Sequence, residues 1–156
     1  KFYIEMKKIC LLVLVLFLTN CSGYKPIFST KDVNFFIDQI IITDNDKISY
    51  KIKKKLKPYS SENTNKIKIN LNINSSKEVK IIAKDNKGDA LIFNLVINSS
   101  IEILSNDIVE KKYKFTEKFT FKNQANKFEL EQYKRSLEEE LIDKIFEKLI
   151  LNLRTY

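Results

Sequence analysis

The sequence predicts an α+β two-layer sandwich. Its elements follow the order β-α-β-β-β-α, with two helices on one face of a mainly antiparallel four-stranded sheet. Three observations predict this class. Between residues 66 and 121 apolar side chains fall mostly on odd positions, the period-two pattern of strands with one dry face. From residue 126 onward the period becomes helical, with an apolar stripe wide enough to cover such a face. A shorter strand–helix pair precedes both patterns, and no internal repeat interrupts residues 35–156, which read as one domain.

Each element has its own signal. Residues 35–43 (FFIDQIIIT) are β-branched and aromatic, a strand composition. Thr43-Asp44-Asn45-Asp46 then resembles a helix start, with acidic residues where the N-terminal dipole favours them. Ile48, Ile52 and Leu56 repeat every fourth residue, and Pro58 stops the helix they define. Its Lys53-Lys54-Lys55 run reads as a solvated face near the C-terminal end.

Strict alternation follows, with Ile67, Ile69, Leu71 and Ile73 directed inward, resuming at Val79, Ile81 and Ala83. Asp85-Asn86-Lys87-Gly88 is a turn built from residues that tolerate positive φ. The returning strand keeps odd parity in Leu91, Phe93, Leu95, Ile97, Ile101 and Ile103. After a turn at Ser105-Asn106-Asp107, the last strand directs Tyr113, Phe115, Phe119 and Phe121 inward. Asn126 and Glu129 have capping-box spacing. Leu130, Tyr133, Leu137, Leu141, Ile145, Leu149 and Leu153 then form one stripe, widened by Ile142, Phe146 and Ile150, while Glu138-Glu139-Glu140 are expected on the outer face. A helix of about 30 residues, or about 45 Å, is expected.

Composition narrows the function. The chain has 156 residues, 44% hydrophobic and 31% charged, a globular balance. The net charge of +8 rests almost wholly on lysine, and Ile and Asn are abundant too, so most of the excess reads as solvated surface. There is no histidine, and the two cysteines are Cys10 and Cys21, a poor basis for zinc, haem or thiol-redox chemistry. The carboxylates lie in turns and on helix surfaces, so no catalytic residue is assigned and no enzyme is expected. Exposed aromatics are not interleaved with the basic residues, which argues against nucleic-acid binding.

The N-terminal segment reads as a targeting leader. Met6 is the expected start and residues 1–5 an extension. Lys7 and Lys8 supply positive charge, and residues 9–18 are ten apolar residues. At about 1.5 Å per residue they cover about half of a ~30 Å hydrocarbon core, which suits a signal peptide and not a membrane span. Residues 1–20 are therefore the expected signal peptide, and residues 21–34 an extended tether. Leu18-Thr19-Asn20-Cys21 resembles the lipobox of bacterial lipoprotein precursors, although Asn20 replaces the usual small residue. That resemblance implies cleavage before Cys21 and its acylation with a diacylglycerol and an N-acyl chain (palmitate). Two or more acyl chains make a stable anchor, since each buried methylene contributes about 0.8 kcal/mol.

Cys21-Ser22-Gly23-Tyr24-Lys25-Pro26, the β-α-β-β-β-α order and the closing segment QYKRSLEEELIDKIFEKLILNL together resemble the LPS-assembly lipoprotein family, LptE. Ser22 departs from the Gly that many members carry after the cysteine. The resemblance implies a non-enzymatic outer-membrane lipoprotein on the periplasmic side, without cofactor or metal. Its implied partners are an LptD-type β-barrel, which it plugs, and lipopolysaccharide, whose assembly it assists. It also implies basic contacts to the glycolipid in the hairpin and ahead of the final helix. The matching positions are Lys87 and Lys127, with Lys84 and Lys122 as neighbours. In a meander these four are expected at one end of the sheet, where cations beside apolar surface suit an amphiphile that carries phosphates. The alternative is a lipoprotein scaffold or pilotin for another envelope assembly.

Overall fold

The computed structural model describes residues 33–44, 46–61, 65–105 and 108–155. The leader, Cys21, the tether up to residue 32 and the Asn106-Asp107 turn lie outside the described residues; the last two tether residues belong to the domain, with Val33 buried in the core and the Asn34 carbonyl accepting from the Ile67 amide at 2.8 Å.

The architecture is the predicted α+β sandwich. Strand β1 (Phe35–Ile42) leads to helix α1 (Lys47–Leu56). Strands β2 (Ile67–Lys84), β3 (Ala90–Ser105) and β4 (Ile108–Lys122) follow, and helix α2 (Lys127–Arg154) closes the chain. The sheet order is β1-β2-β3-β4. β1 runs parallel to β2, from Phe35 opposite Ile67 to Ile42 opposite Ile73. A parallel pair requires a crossover connection, and α1 supplies it. The other two pairings are antiparallel, the meander expected from two turns.

Local chemistry sets both helix starts. The Asp46 carboxylate accepts hydrogen bonds from the Ile48 and Ser49 amides at 3.0 and 3.2 Å. The Asn126 side chain does the same for Phe128 and Glu129 at 3.0 and 3.4 Å, and its amide donates to Glu129 at 3.1 Å. These bonds satisfy donors that no helical turn can reach. α1 ends at Leu56, and Pro58 falls inside a single 3-10 turn, Lys57–Tyr59.

The core lies between the sheet and the two helices. Ile48, Ile52 and Leu56 of α1 meet Ile69, Leu71 and Ile73 of β2, while Leu141, Ile145 and Leu149 of α2 join Leu95, Ile97, Ile101 and Ile103 of β3. Burying such a side chain contributes about 1.5–3 kcal/mol before the entropy of ordering it is counted.

Where the apolar alternation of β2 lapses, the strand continues. Ser75 is buried, and its hydroxyl lies 2.9 Å from that of Ser99 on β3. A hydroxyl satisfied across the pair replaces an apolar contact at this layer.

The structure corrects several sequence expectations. Ile67, Val79, Ile81 and Leu91 have inward parity but are exposed. Ile67 is the first residue of β2, whereas Val79, Ile81 and Leu91 lie at the far end of β2 and the start of β3, past the ten-residue α1, where α2 covers Phe121 but leaves them exposed. Tyr133 is also exposed, and Tyr113, Phe119 and Phe146 are half-buried. Glu138, expected on the outer face, is buried.

Candidate functional site

Each of the four lysines singled out by the sequence takes its place from a strand or helix end. Lys84 is the last residue of β2, opposite Ala90. Lys87 sits in the β2–β3 turn, Lys122 ends β4 opposite Ile92, and Lys127 opens α2. All four are exposed.

The turn is built around one aspartate. The Asp85 carboxylate accepts from the amides of Lys87 (2.8 Å) and Asp89 (2.9 Å), while its carbonyl accepts from Gly88 at 3.1 Å. Gly88 has φ +90°, a conformation that glycine adopts without a side-chain penalty. The exit of β4 is tied back to this end. The Asn123 amide donates to the Leu91 carbonyl, and its side chain to the Ala90 carbonyl, both at 2.8 Å.

The structure thus brings all four lysines to one end of the sheet but not to one face. Phe121 is buried beneath α2, in edge contact with Tyr133 at 5.9 Å. Its neighbour Lys122 therefore points to the opposite face, because strand side chains alternate. Lys127 belongs to the helical layer. It lines an open depression of about 520 Å³ with Leu130, Asn123 and Gln124, together with the carboxylates Asp89 and Glu131.

Apolar surface surrounds these cations. Ile81, Ile82, Leu91 and Phe128 are exposed near the same end. Phe93 stacks on Phe121 at 5.4 Å, and the Lys134 ammonium stands 5.2 Å from the Phe93 ring centre. The sequence reading did not single out Lys134 and missed this contact. The clue is that Lys134 follows Tyr133 at the margin of the stripe. Cations beside apolar and aromatic surface can receive an amphiphilic anion, with charge and hydrocarbon contacting adjacent patches.

Neither a protein-family model nor a curated protein sequence matches this chain. Solved structures do resemble it. Rare lipoprotein B from Shewanella oneidensis superposes with a TM-score of 0.52 at 10% identity, over 73% of this chain and 95% of that one. Lipoprotein B from Nitrosomonas europaea gives 0.57 at 14% identity, over 85% and 88%. A minor lipoprotein from Acinetobacter baumannii gives 0.57 at 13% identity, over 79% and 92%. The chain shares the fold of these lipoproteins.

The second feature missed by the sequence reading is Glu138. Its carboxylate is held by Lys51 of α1 at 2.5 Å and Lys77 of β2 at 2.6 Å, and Lys51 also reaches Glu139 at 2.7 Å. Burial pushes the Glu138 carboxyl up, but the hydrogen bonds and charges of the two lysines outweigh it and hold the group below the ordinary carboxylate range. Burial likewise lowers Lys51, and its two glutamate partners outweigh that and raise it. This triad joins both helices to the sheet.

Among the described residues, no group of three or more histidines, cysteines, aspartates or glutamates stands where it could hold a metal ion. No described helix is long and apolar enough to cross a membrane.

Proposed function

We propose that this chain is an LptE-type lipoprotein. It is anchored in the outer membrane through acyl chains on Cys21, and it plugs an LptD-type β-barrel, assisting lipopolysaccharide assembly from the periplasmic side. The reading is supported above all by one coincidence: a lipobox-like leader precedes a fold shared with rare lipoprotein B. The sheet end is the proposed glycolipid contact. Lys84, Lys87, Lys122 and Lys127 supply the cations, and Ile81, Ile82, Leu91 and Phe128 the adjacent apolar surface. Lys127 is the best placed of the four, because Leu130 stands beside it in an open depression. Asp89 and Glu131 line the same depression, so its lining is net negative even with Lys127, and loss of the lysine leaves two uncompensated carboxylates. The role is non-catalytic.

The test is affinity purification of the tagged mature protein from detergent-solubilised outer membranes, with mass spectrometry of whatever copurifies. A stoichiometric β-barrel related to LptD is the expected result. Recovery of another envelope assembly moves the reading to a scaffold or pilotin, and recovery of no barrel withdraws it. With the barrel in hand, Lys87→Glu and Lys127→Glu are expected to weaken lipopolysaccharide binding several-fold, about 1 kcal/mol for each reversal. Lys55→Glu, on α1 away from the sheet end, is expected to leave it unchanged.

A further inference from the structure

Both helices lie against odd-numbered positions of β2, β3 and β4. The even-numbered positions form the opposite face of the sheet, which neither helix covers. Lys122 belongs to this face, apart from Lys127 of the helical layer. Along β4, away from the sheet end, Lys118 and Lys114 follow Lys122 at every fourth residue, a column of about 27 Å. Lys114 and Lys118 are exposed and form no ion pair among the described residues. The carboxylates that β2 and β3 present on this face are already engaged. Glu78 lies 3.0 Å from Lys80, and Glu102 accepts from Lys112 at 2.6 Å and from Asn72 at 3.1 Å. The column therefore keeps its positive charge.

At Lys114 the column opens on a polar trough. Two depressions, of about 430 and 200 Å³, share Asn74, Ser100 and Lys114, which form one cross-strand row. Ser76, Asn98 and Thr116 form the next. Thr116 donates to the Asn98 oxygen at 2.8 Å, which leaves the Asn98 amide as a donor. Ser100 Oγ, in the trough, and Asn94 Oδ1, between the rows of Lys118 and Lys122, are buried without a hydrogen-bond partner among the described residues. An unpaired buried oxygen is costly, and an amide oxygen can only accept. These groups define a ligand. A small anion answers one lysine, but the unpaired oxygens lie six residues apart on β3, about 20 Å, so a ligand that meets both is an extended chain. A neutral polyol chain answers the amides and hydroxyls but not the lysines. A saccharide carrying phosphate or carboxylate groups answers both, because its hydroxyls donate as well as accept. A protein partner is disfavoured, since the two trough rows hold no aromatic or apolar side chain to serve as an anchor.

We propose that this face binds the anionic saccharide of the glycolipid, extended from Lys122 past Lys118 to the trough at Asn98, Ser100 and Lys114. The inference rests on the proposed lipopolysaccharide role and divides the amphiphile between two surfaces. Acyl chains and the phosphates beside them stay at the sheet end, and the saccharide runs along the open face.

The test is calorimetric titration of the mature protein in detergent micelles with the lipid-free, phosphorylated oligosaccharide released from lipopolysaccharide by mild acid. Inorganic phosphate and a neutral glucose oligosaccharide of similar length are the controls. The phosphorylated oligosaccharide is expected to bind about ten-fold more tightly than either. Lys114→Glu and Lys118→Glu each weaken it about ten-fold, and circular dichroism checks that these exposed reversals leave the fold intact. Ser100→Ala weakens it several-fold without lowering the melting temperature, because the hydroxyl it removes has no partner in the free protein. Lys55→Glu, on α1, leaves it unchanged. The proposal is overturned if the oligosaccharide fails to bind, if inorganic phosphate binds as tightly, or if the Lys114 and Lys118 reversals have no effect. Shielding of Lys114 and Lys118 from acetylation by a copurified barrel, with no oligosaccharide bound to the free chain, assigns the face to the barrel wall and also overturns it. The titration uses no barrel. A missing barrel withdraws the proposed function and leaves measured oligosaccharide binding standing, whereas a barrel that copurifies with a chain unable to bind the oligosaccharide rejects this inference alone.

Discussion

A buried carboxylate needs partners for its oxygens, and Glu138 finds them on two different elements, Lys51 of α1 and Lys77 of β2. Both lysines are more than a third exposed, so solvent weakens the attraction. Glu138→Gln is therefore expected to lower stability at neutral pH by about 1–2 kcal/mol, less than the loss of a fully buried pair. The sign of the pH dependence follows from the depressed Glu138 pKa. Its contribution is fully present above the ordinary carboxylate range and declines as pH falls from that range through the lower folded-state value. Urea unfolding at pH 7 and pH 3 checks this. The two proteins should differ at pH 7 and draw together as pH falls, and a gap of unchanged size at pH 3 refutes the ionic account. Glu138 was partly legible in the sequence. It precedes Ile142 by four residues and Ile145 by seven, which places it at the border of the buried stripe. Its lysine partners were not legible, because they are separated from it by 87 and 61 residues.

The elements were legible wherever one local rule governed them. The Asn126 cap opens α2 where its spacing to Glu129 predicts, whereas α1 starts later than the Thr43–Asp46 capping-box pattern implies, with Asp46 itself as the cap. Asn126→Ala is expected to cost about 1 kcal/mol in chemical denaturation, while Asn126→Asp keeps the acceptor and stays near the parent value. The hairpin turn follows a similar local rule. Open space surrounds the position where a Cβ on Gly88 would stand, so any cost of Gly88→Ala comes from its positive φ alone. About 1 kcal/mol is expected, and a neutral result would show that the turn adopts another backbone conformation. The continuity of β2 was less legible. Ser75, Ser76 and Lys77 interrupt the apolar pattern, and only the strand opposite reveals that Ser99 satisfies Ser75.

At the scale of the molecule, the sequence reading and the structure differ over where the helical cover ends. Alternation records which face of a strand is apolar, but not how far a helix joined elsewhere in the chain reaches along it. Ile145 and Leu91 both carry the inward pattern in sequence. Ile145 is fully buried between α2 and the sheet, whereas Leu91 is 46% exposed beside the tip lysines. The candidate site was legible in the same partial way. Turn chemistry and strand parity brought four lysines to one end, but the apolar skirt around them emerges only once α1 is seen to stop short. The same limit gives a stability contrast. Ile145→Ala leaves a cavity and is expected to cost about 2–5 kcal/mol. Leu91→Ala removes a side chain already half in water and is expected to cost about 0.5 kcal/mol or less. Paired denaturation curves of the two variants decide the matter. If Leu91→Ala proves as costly as Ile145→Ala, the tip is covered in solution by residues outside the described ones. Its apolar surface is then structural, and glycolipid contact at that end has to rest on the lysines alone.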